Sequence, residues 1–445
     1  MSQSRRGEPI RYARLEVPSE FLTQTCVDGQ RLVYGGDIRI GDLTGDGRAD
    51  FLVYRSVDDA HDGGGLKPCF LGAFTMEGRV LWSAGGGGEQ PSRPGPVAIH
   101  DIDGDGRAEV VCFWRDASVE TVPDSMANVV VQIREGGSGR VKRQARPRAL
   151  TQCAGRGPNW VHQRLLIANL RGLATPRDIV VKLGPRILTL DEDLSVLWAY
   201  EIQWNAYGRC SAYIPAVGDI DGDGCDEVNG GYYLLDEDGT PLWENPLGPH
   251  MDSVSIAAWD GGRQRAVCSG GGHVLDQAGN VLLRLDADVV PHGQEIRVAK
   301  FLKDEPMPQR VIRHRGHAPD VILVDAQGAV RNRFQLNASP NHTGMEVVYW
   351  RGADAPALLY NGGMLWDPGD ATSLALPDLP APVGPPRMGW YHCIPADVCG
   401  DSREEVILYN PWDAAVYVYT PSPLDESAYT GYRPGPRQYN ARFMD

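Results

Sequence analysis

One pattern returns through the whole chain and limits what it can fold into. It is an apolar strand, an acidic Gly-rich turn, a second apolar strand, then a hairpin ending in an aromatic residue. The clearest copies are GDLTGDGRADFLVY from Gly41, HDIDGDGRAEVVCFW from His100 and GDIDGDGCDEVNGGY from Gly218, with a worn copy, ADVCGDSREEVILY, from Ala396. Weaker copies begin at Ile167, Ile256, Ala299 and Val347. With Asp42, Asp101, Asn169, Asp219, Trp259, Leu302, Trp350 and Asp397 as equivalent positions, successive copies lie 40 to 68 residues apart. That makes eight units.

Most units carry a second hairpin signal, as in FTMEGRVLW, LTLDEDLSVLW, YLLDEDGTPLW, HVLDQAGNVLL and ILVDAQGAVRN. Asp-x-x-Gly between two apolar runs is a short β-turn. Each unit is therefore four short strands, one blade of a propeller. The predicted fold is all-β: one domain over 1–445, an eight-bladed β-propeller of four-stranded antiparallel blades spanning roughly 30–420. The strand RYARLEVP before the first unit and the tail RQYNARFMD after the last are expected to pair and close the ring. Two stacked β-sandwiches would need a linker, and the repeat runs from Gly41 to Thr420 without one. The Pro-rich stretch 376–386 falls inside a repeat interval and reads as an inter-blade loop.

Composition agrees. With 53 Gly and 33 Pro a helical bundle is excluded, and 42% apolar residues with 11 Trp and 17 Tyr exclude a disordered chain. No stretch reaches the roughly 18 apolar residues of a membrane helix. A net charge of -15 argues against general nucleic-acid binding, which needs a basic face. The first residues have no apolar signal core, and the nine scattered Cys read as mostly buried free thiols. A cytoplasmic monomer with neither nucleic-acid nor membrane partner is expected.

Asp101, Asp103, Asp105 and Glu109 in the second unit, and Asp219, Asp221, Asp223 and Glu227 in the fourth, alternate like the ligands of a calcium loop. Two readings stay open: a structural Ca2+ site, or an Asx turn whose carboxylates bond backbone amides. Either way these loops join first and second strands, so all lie on one face of the disc. No organic cofactor motif is present.

Strand alternation sends two other sets of connections to the opposite face: the lead-in to each first strand and the link from second to third strand. The lead-ins carry Trp160, His162, Arg209, His250, His292, His342, Trp390, Tyr391 and His392. The links add His273, the run Arg313-His314-Arg315-Gly316-His317, Tyr232 with Tyr233, and His61 with Lys67. Of ten His, five recur at or near the same place in successive units. A single His is more often a core or surface imidazole. Five on one rim point to a site.

Such a rim suits an acidic poly- or oligosaccharide. Aromatic faces stack on sugar rings, Arg pairs with carboxylates, and His or Tyr moves protons near neutral pH. The set fits β-elimination at a uronic acid: Arg or a metal neutralises the carboxylate, a His removes the C5 proton, and Tyr or another His protonates the leaving oxygen. The expected catalytic set is His250, His292, His342, Tyr391 and Arg209. Substrate binding is expected from His162, Trp160, His273, Arg313, His314, His317, Tyr232, Trp390 and His392. No paired-carboxylate glycosidase signature, GxSxG, P-loop or HExxH appears.

From about Gly36 to Thr420 the tandem GD-DGDG-xx-E blades with "LDxxGxxLW" hairpins resemble the eight-bladed rhamnogalacturonan lyases, and also the seven-bladed propeller lyases of ulvan and rhamnosyl-glucuronate polymers. VPHGQE, from Val290, is similar to the His-Gly-Asp segment of the rhamnogalacturonan lyases, which implies that His292 is a substrate-site residue. The resemblance implies a lyase for a rhamnose- and uronate-containing glycan. A glycoside hydrolase on the same scaffold and a non-catalytic integrin-like (FG-GAP-like) binding module are the alternatives. The N-terminal β-domain common in those lyases has no counterpart in this sequence, and half the units lack the usual loop acids.

Overall fold

The computed structural model describes residues 9–57, 65–90, 94–120, 125–152, 165–204, 212–248, 251–384, 389–422 and 429–441. Its eight four-stranded antiparallel sheets are the predicted blades, seven of them with strands in sequence order. The first strands are Asp37–Gly41, Val97–His100, Leu165–Ala168, Ala216–Gly218, Val254–Ala258, Glu295–Ala299, Glu346–Val348 and His392–Ala396. They touch one another around the ring and so line its axis.

Closure is half as expected. Ile10–Glu16 pairs antiparallel with Ala415–Thr420 and becomes the outer strand of the eighth blade, so the sheet holding the chain's last strands is completed by its first. The tail does not join that pairing. It forms a single helical turn, Pro436–Tyr439, against the first strands of blades 1, 2, 3 and 8.

Most inner strands are apolar runs because they are buried on both faces, whereas outer strands such as Val141–Ala145 and Val330–Gln335 are partly exposed. Side chains alternate across a strand, so Ile407 of blade 8 packs toward blade 1 while Val406 and Leu408 pack toward blade 7. An apolar cluster of this kind fills each junction between successive blades.

The Trp near the end of the hairpin in blades 1, 3 and 4 has a second task. Trp82, Trp198 and Trp243 lie on the turn glycines of the next blade, Gly139, Gly239 and Gly279, where a Cβ would come within 2.4, 2.6 and 2.7 Å of the indole. Those glycines also have positive φ, which L side chains adopt at a cost. Trp82 and Trp198 further donate their indole N–H to the carbonyls of Gly136 and Glu237 in the neighbouring blade.

Candidate active site

The two faces of the disc differ in kind. On the acidic-loop face the C-terminal segment crosses the axis. Thr430 Oγ1 donates to the Gly400 carbonyl at 3.0 Å, Gln438 Nε2 to Pro395, and Asn440 bonds both backbone groups of Ile167 at 2.8 Å. His100 lies on this face too, its ring 4.4 Å from that of Tyr439. The His-rich rim is at the other end of the axis.

Blade 6 supplies the best-formed part of that rim. The lead-in at His292 runs parallel to the link at Arg315, held by His292 N–H to His314 O at 3.1 Å and Gly316 N–H to His292 O at 3.0 Å. Both glycines are required. A Cβ on Gly293 would lie 1.7 Å from Ser269 O of blade 5, and one on Gly316 (φ +58°) would press on His292 Nδ1 at 3.3 Å. His292 is 42% exposed, with its Nε2 edge buried 3.5 Å from Oδ2 of the fully buried Asp252. Arg315 stands beside it, 62% exposed, its nearest carboxylate being Asp320 at 3.9 Å.

His317 is exposed on the same link. His314 is buried, and that burial, followed by the charge of Arg333, pulls its pKa down. Gln294, also buried, has an Oε1 without a hydrogen-bond partner among the described residues. In the next two lead-ins, His342 stacks on Trp390 with ring centroids 5.9 Å apart and planes 5° from parallel. Burial lowers the His342 pKa as well.

Several expected site residues are turned into the protein instead. Tyr391 is buried and donates to Asp413 Oδ2 at 2.8 Å; burial and then the Asp413 charge raise its pKa, so it is a poor proton donor to a sugar. His392 is buried against Tyr409, and His273 is buried edge-on to the buried Tyr232. Tyr233 and Lys67 are buried too. Arg313 is fully buried, donating Nε to Glu295 at 2.9 Å and Nη1 to Ala338 O at 2.9 Å. For His392, His273, Tyr233 and Arg313, which lie on strands, side-chain alternation turns them into the blade interior; Tyr391, Tyr232 and Lys67 sit in connections that pack inward. His61, Trp160, His162, Arg209 and His250 lie outside the described residues.

On the acidic face the Asx reading holds for the first Asp of each clear copy. Asp42, Asp101, Asp219 and Asp397 each accept backbone amides on both carboxylate oxygens. The acid at the ninth position accepts the amide of the second, as Glu109 from Ile102 at 3.2 Å and Glu227 from Ile220 at 2.7 Å. Asp105 and Asp223 likewise cap their own turns, accepting from Arg107 and Cys225.

The two full loops then diverge. In blade 2 the Lys142 ammonium lies 2.5 Å from Asp103, 2.9 Å from Glu109 and 3.5 Å from Asp105. Burial works against its charge, but the bonds to Asp103 and Glu109 outweigh that and hold its pKa above normal. Three acids converge in each loop, Asp101, Asp103 and Glu109 in blade 2 and Asp219, Asp221 and Glu227 in blade 4, and in blade 4 Asp236 and Glu237 also lie beside Glu227. Glu227 Oε1 is buried there without a partner among the described residues. Burial, then the charges of Asp221, Asp223 and Asp219, push Glu227 up to about 8. The blade 4 set fits a divalent cation, since a buried carboxylate oxygen among acids is costly unless a cation meets it.

Known proteins match this arrangement. A profile described as "Rhamnogalacturonan lyase family 11, C-terminal domain" covers residues 12–146, the closing strand and the first two blades. The rhamnogalacturonan exolyase YesX of Bacillus subtilis (strain 168) is 25% identical over 275 residues, 53% of this chain and 44% of YesX. The rhamnogalacturonan endolyase YesW of the same organism is 24% identical over 302 residues, 58% of this chain and 46% of YesW. The crystal structure of YesW superimposes with a TM-score of 0.67 at 19% identity, covering 92% of this chain and 75% of that one. The chain is an eight-bladed propeller similar to rhamnogalacturonan lyases.

The alignments with its curated relatives take in less than half of their length. Two residues of the propeller's rim were not singled out from sequence, Asp252 and Gln294, and Arg315 was named only as part of the run 313–317. Asp252 stands two residues after His250 in the segment GPHMDS, and nothing in that segment marks it for burial.

Proposed function

We propose that the chain is a polysaccharide lyase that cleaves a rhamnose- and uronate-containing glycan by β-elimination at the uronic acid. The observation that carries this is the pairing of His292 with buried Asp252, beside the exposed Arg315. An Nε2–H aimed at Asp252, 3.5 Å away, would leave the lone pair on Nδ1. Arg315 pairs with the uronate carboxylate and makes the C5 proton more acidic. His292 Nδ1 takes that proton, the C5–H electrons form the C4=C5 double bond, and the C4–O4 bond breaks. His317, two residues beyond Arg315, gives a proton to the departing oxygen. The stacked His342 and Trp390 offer an aromatic edge for a neighbouring sugar. Likeness to YesX and YesW favours rhamnogalacturonan as the polymer.

A structural Ca2+ belongs to the same reading. Asp219, Asp221 and Glu227 would hold it, and its charge would offset the blade 4 acids and fix that turn. Lys142 supplies the corresponding charge in blade 2.

The test is incubation with rhamnogalacturonan, ulvan and gum arabic while following the ultraviolet absorption of a 4,5-unsaturated uronate. A rise on rhamnogalacturonan is expected. New reducing ends without that absorption would mean hydrolysis, and no product from any of the three would refute the enzyme reading.

A further inference from the structure

A cavity of about 500 Å3 opens between blades 1 and 2, far from His292. Its walls come from the start of the third strand of blade 1 (Cys69), the end of the second strand of blade 2 (Trp114, Arg115) and the link that follows (Asp116), so it lies on the rim face. Blades 2 and 6 are four apart in a ring of eight, which puts the cavity across the axis from the His292 site. Its volume is within the range of small-molecule sites.

The lining offers donors. No hydrogen bond or ion pair of the Arg115 guanidinium is found among the described residues, and its Nε is buried without a partner there. Asp116, the acid in the wall, is already engaged by Arg146 and by Ser118. Gln132 is held between two neighbours: its oxygen accepts from Arg134 at 2.9 Å and its nitrogen donates to Gln144 Oε1 at 2.5 Å. That orientation fixes the Gln144 amide nitrogen as the free end. Arg134 covers one face of Trp114, 4.7 Å from the ring centroid, and the rest of the half-buried indole borders the cavity.

We propose that this cavity is a second, non-catalytic carbohydrate site that takes one hexuronate residue of an acidic oligosaccharide. A carboxylate fits the planar fork of Arg115, a hydroxyl or second carboxylate oxygen fits the Gln144 amide, and the C–H face of a pyranose fits the indole. One arginine and no lysine match a single negative charge better than a phosphate. Engagement at two points across the disc raises the effective concentration of a long chain at the catalytic rim without touching its chemistry.

The probe is a trimer of galacturonate, titrated calorimetrically into the wild type, Arg115→Met, Gln144→Leu and Arg315→Ala, with a neutral galactose trimer as control. Thermal unfolding confirms that each variant is folded. Arg115→Met and Gln144→Leu are expected to weaken the cavity's binding event at least about tenfold, and Arg315→Ala to keep that event while losing the one at the His292 rim. An Arg115→Met isotherm identical to wild type, or equal binding of the neutral trimer, overturns the proposal. Binding does not require turnover, so the site stands or falls apart from the lyase reading. If elimination occurs, Arg115→Met raises KM for polymer and leaves cleavage of short oligosaccharides unchanged; an unchanged polymer KM counts against the site.

Discussion

The hydroxyl of Tyr409, in the second strand of the eighth blade, donates to Oδ1 of Asp37, the first residue of the first blade. The other oxygen of Asp37 meets Tyr54 and, at 3.2 Å, Nη1 of Arg39. Asp37 and both tyrosines are fully buried, so one carboxylate joins the two ends of the ring through charge-assisted bonds that water cannot replace.

Tyr409→Phe is therefore expected to lose about 1.5–3 kcal/mol of stability, the range for a hydrogen bond to a charged group. Asp37→Ala is expected to lose about 3–5 kcal/mol, because it strands the buried Arg39 guanidinium. Urea unfolding of both variants checks the order. Equal losses would mean that the ring is closed mainly by the Ile10–Glu16 strand.

The acidic loops give a second prediction. Wild-type protein is expected to melt lower in chelator and to recover with added calcium. Glu227→Gln should abolish that dependence, while Lys142→Ala should add to it by vacating the charge among Asp103, Asp105 and Glu109. At a calcium concentration one hundredfold above Kd, each site contributes about 2.7 kcal/mol. Scanning calorimetry with and without chelator reads this directly; a chelator effect retained in Glu227→Gln would place the ion elsewhere.

The blades were legible because turn chemistry repeats. Asp276 and Asp325 accept amides two and four residues ahead in the same hairpin position, and an Asp-x-x-Gly signature records that geometry in the chain itself. The rim was legible as a set of connections but not as a set of exposed side chains. Tyr391 and His392 directly follow Trp390, yet both face blade interiors, and only packing against the next blade decides that. Lys142 reaches Glu109 from 33 residues away, in a strand with no acidic signature of its own. Nothing local in either segment announces the pair.

His273 supplies a pH prediction. Burial, then the nearby charges of Arg284 and Arg310, push its pKa down from 6.5 to about 4, and the Tyr232 ring and the Cys268 strand pack around it. The folded protein thus resists a proton that the unfolded chain accepts. The stability tied to the neutral ring is complete above pH 6.5 and is lost as pH falls from 6.5 toward 4, by about 3 kcal/mol in total. His273→Gln is expected to flatten the stability curve in that window relative to wild type, measured by urea unfolding at successive pH values. Parallel curves would show that His273 is not the group responsible.

The proposed catalytic pair, His292 and Asp252, gives the last prediction, because its two members should fail differently. His292→Ala removes the base and is expected to lower kcat by about 10²–10⁴, the range for positioned proton transfer. Asp252 touches no substrate in this arrangement. It holds the Nε2 edge of the ring and so fixes which nitrogen carries the lone pair. Asp252→Asn keeps the volume and offers the ring an amide instead, so the imidazole loses its preferred tautomer and its aim. A loss of up to about 10² in kcat with unchanged KM is expected. Thermal unfolding close to wild type would show that the loss is not structural. If Asp252→Asn raised KM and left kcat alone, the carboxylate would be shaping the binding surface, and His292 would be acting without it.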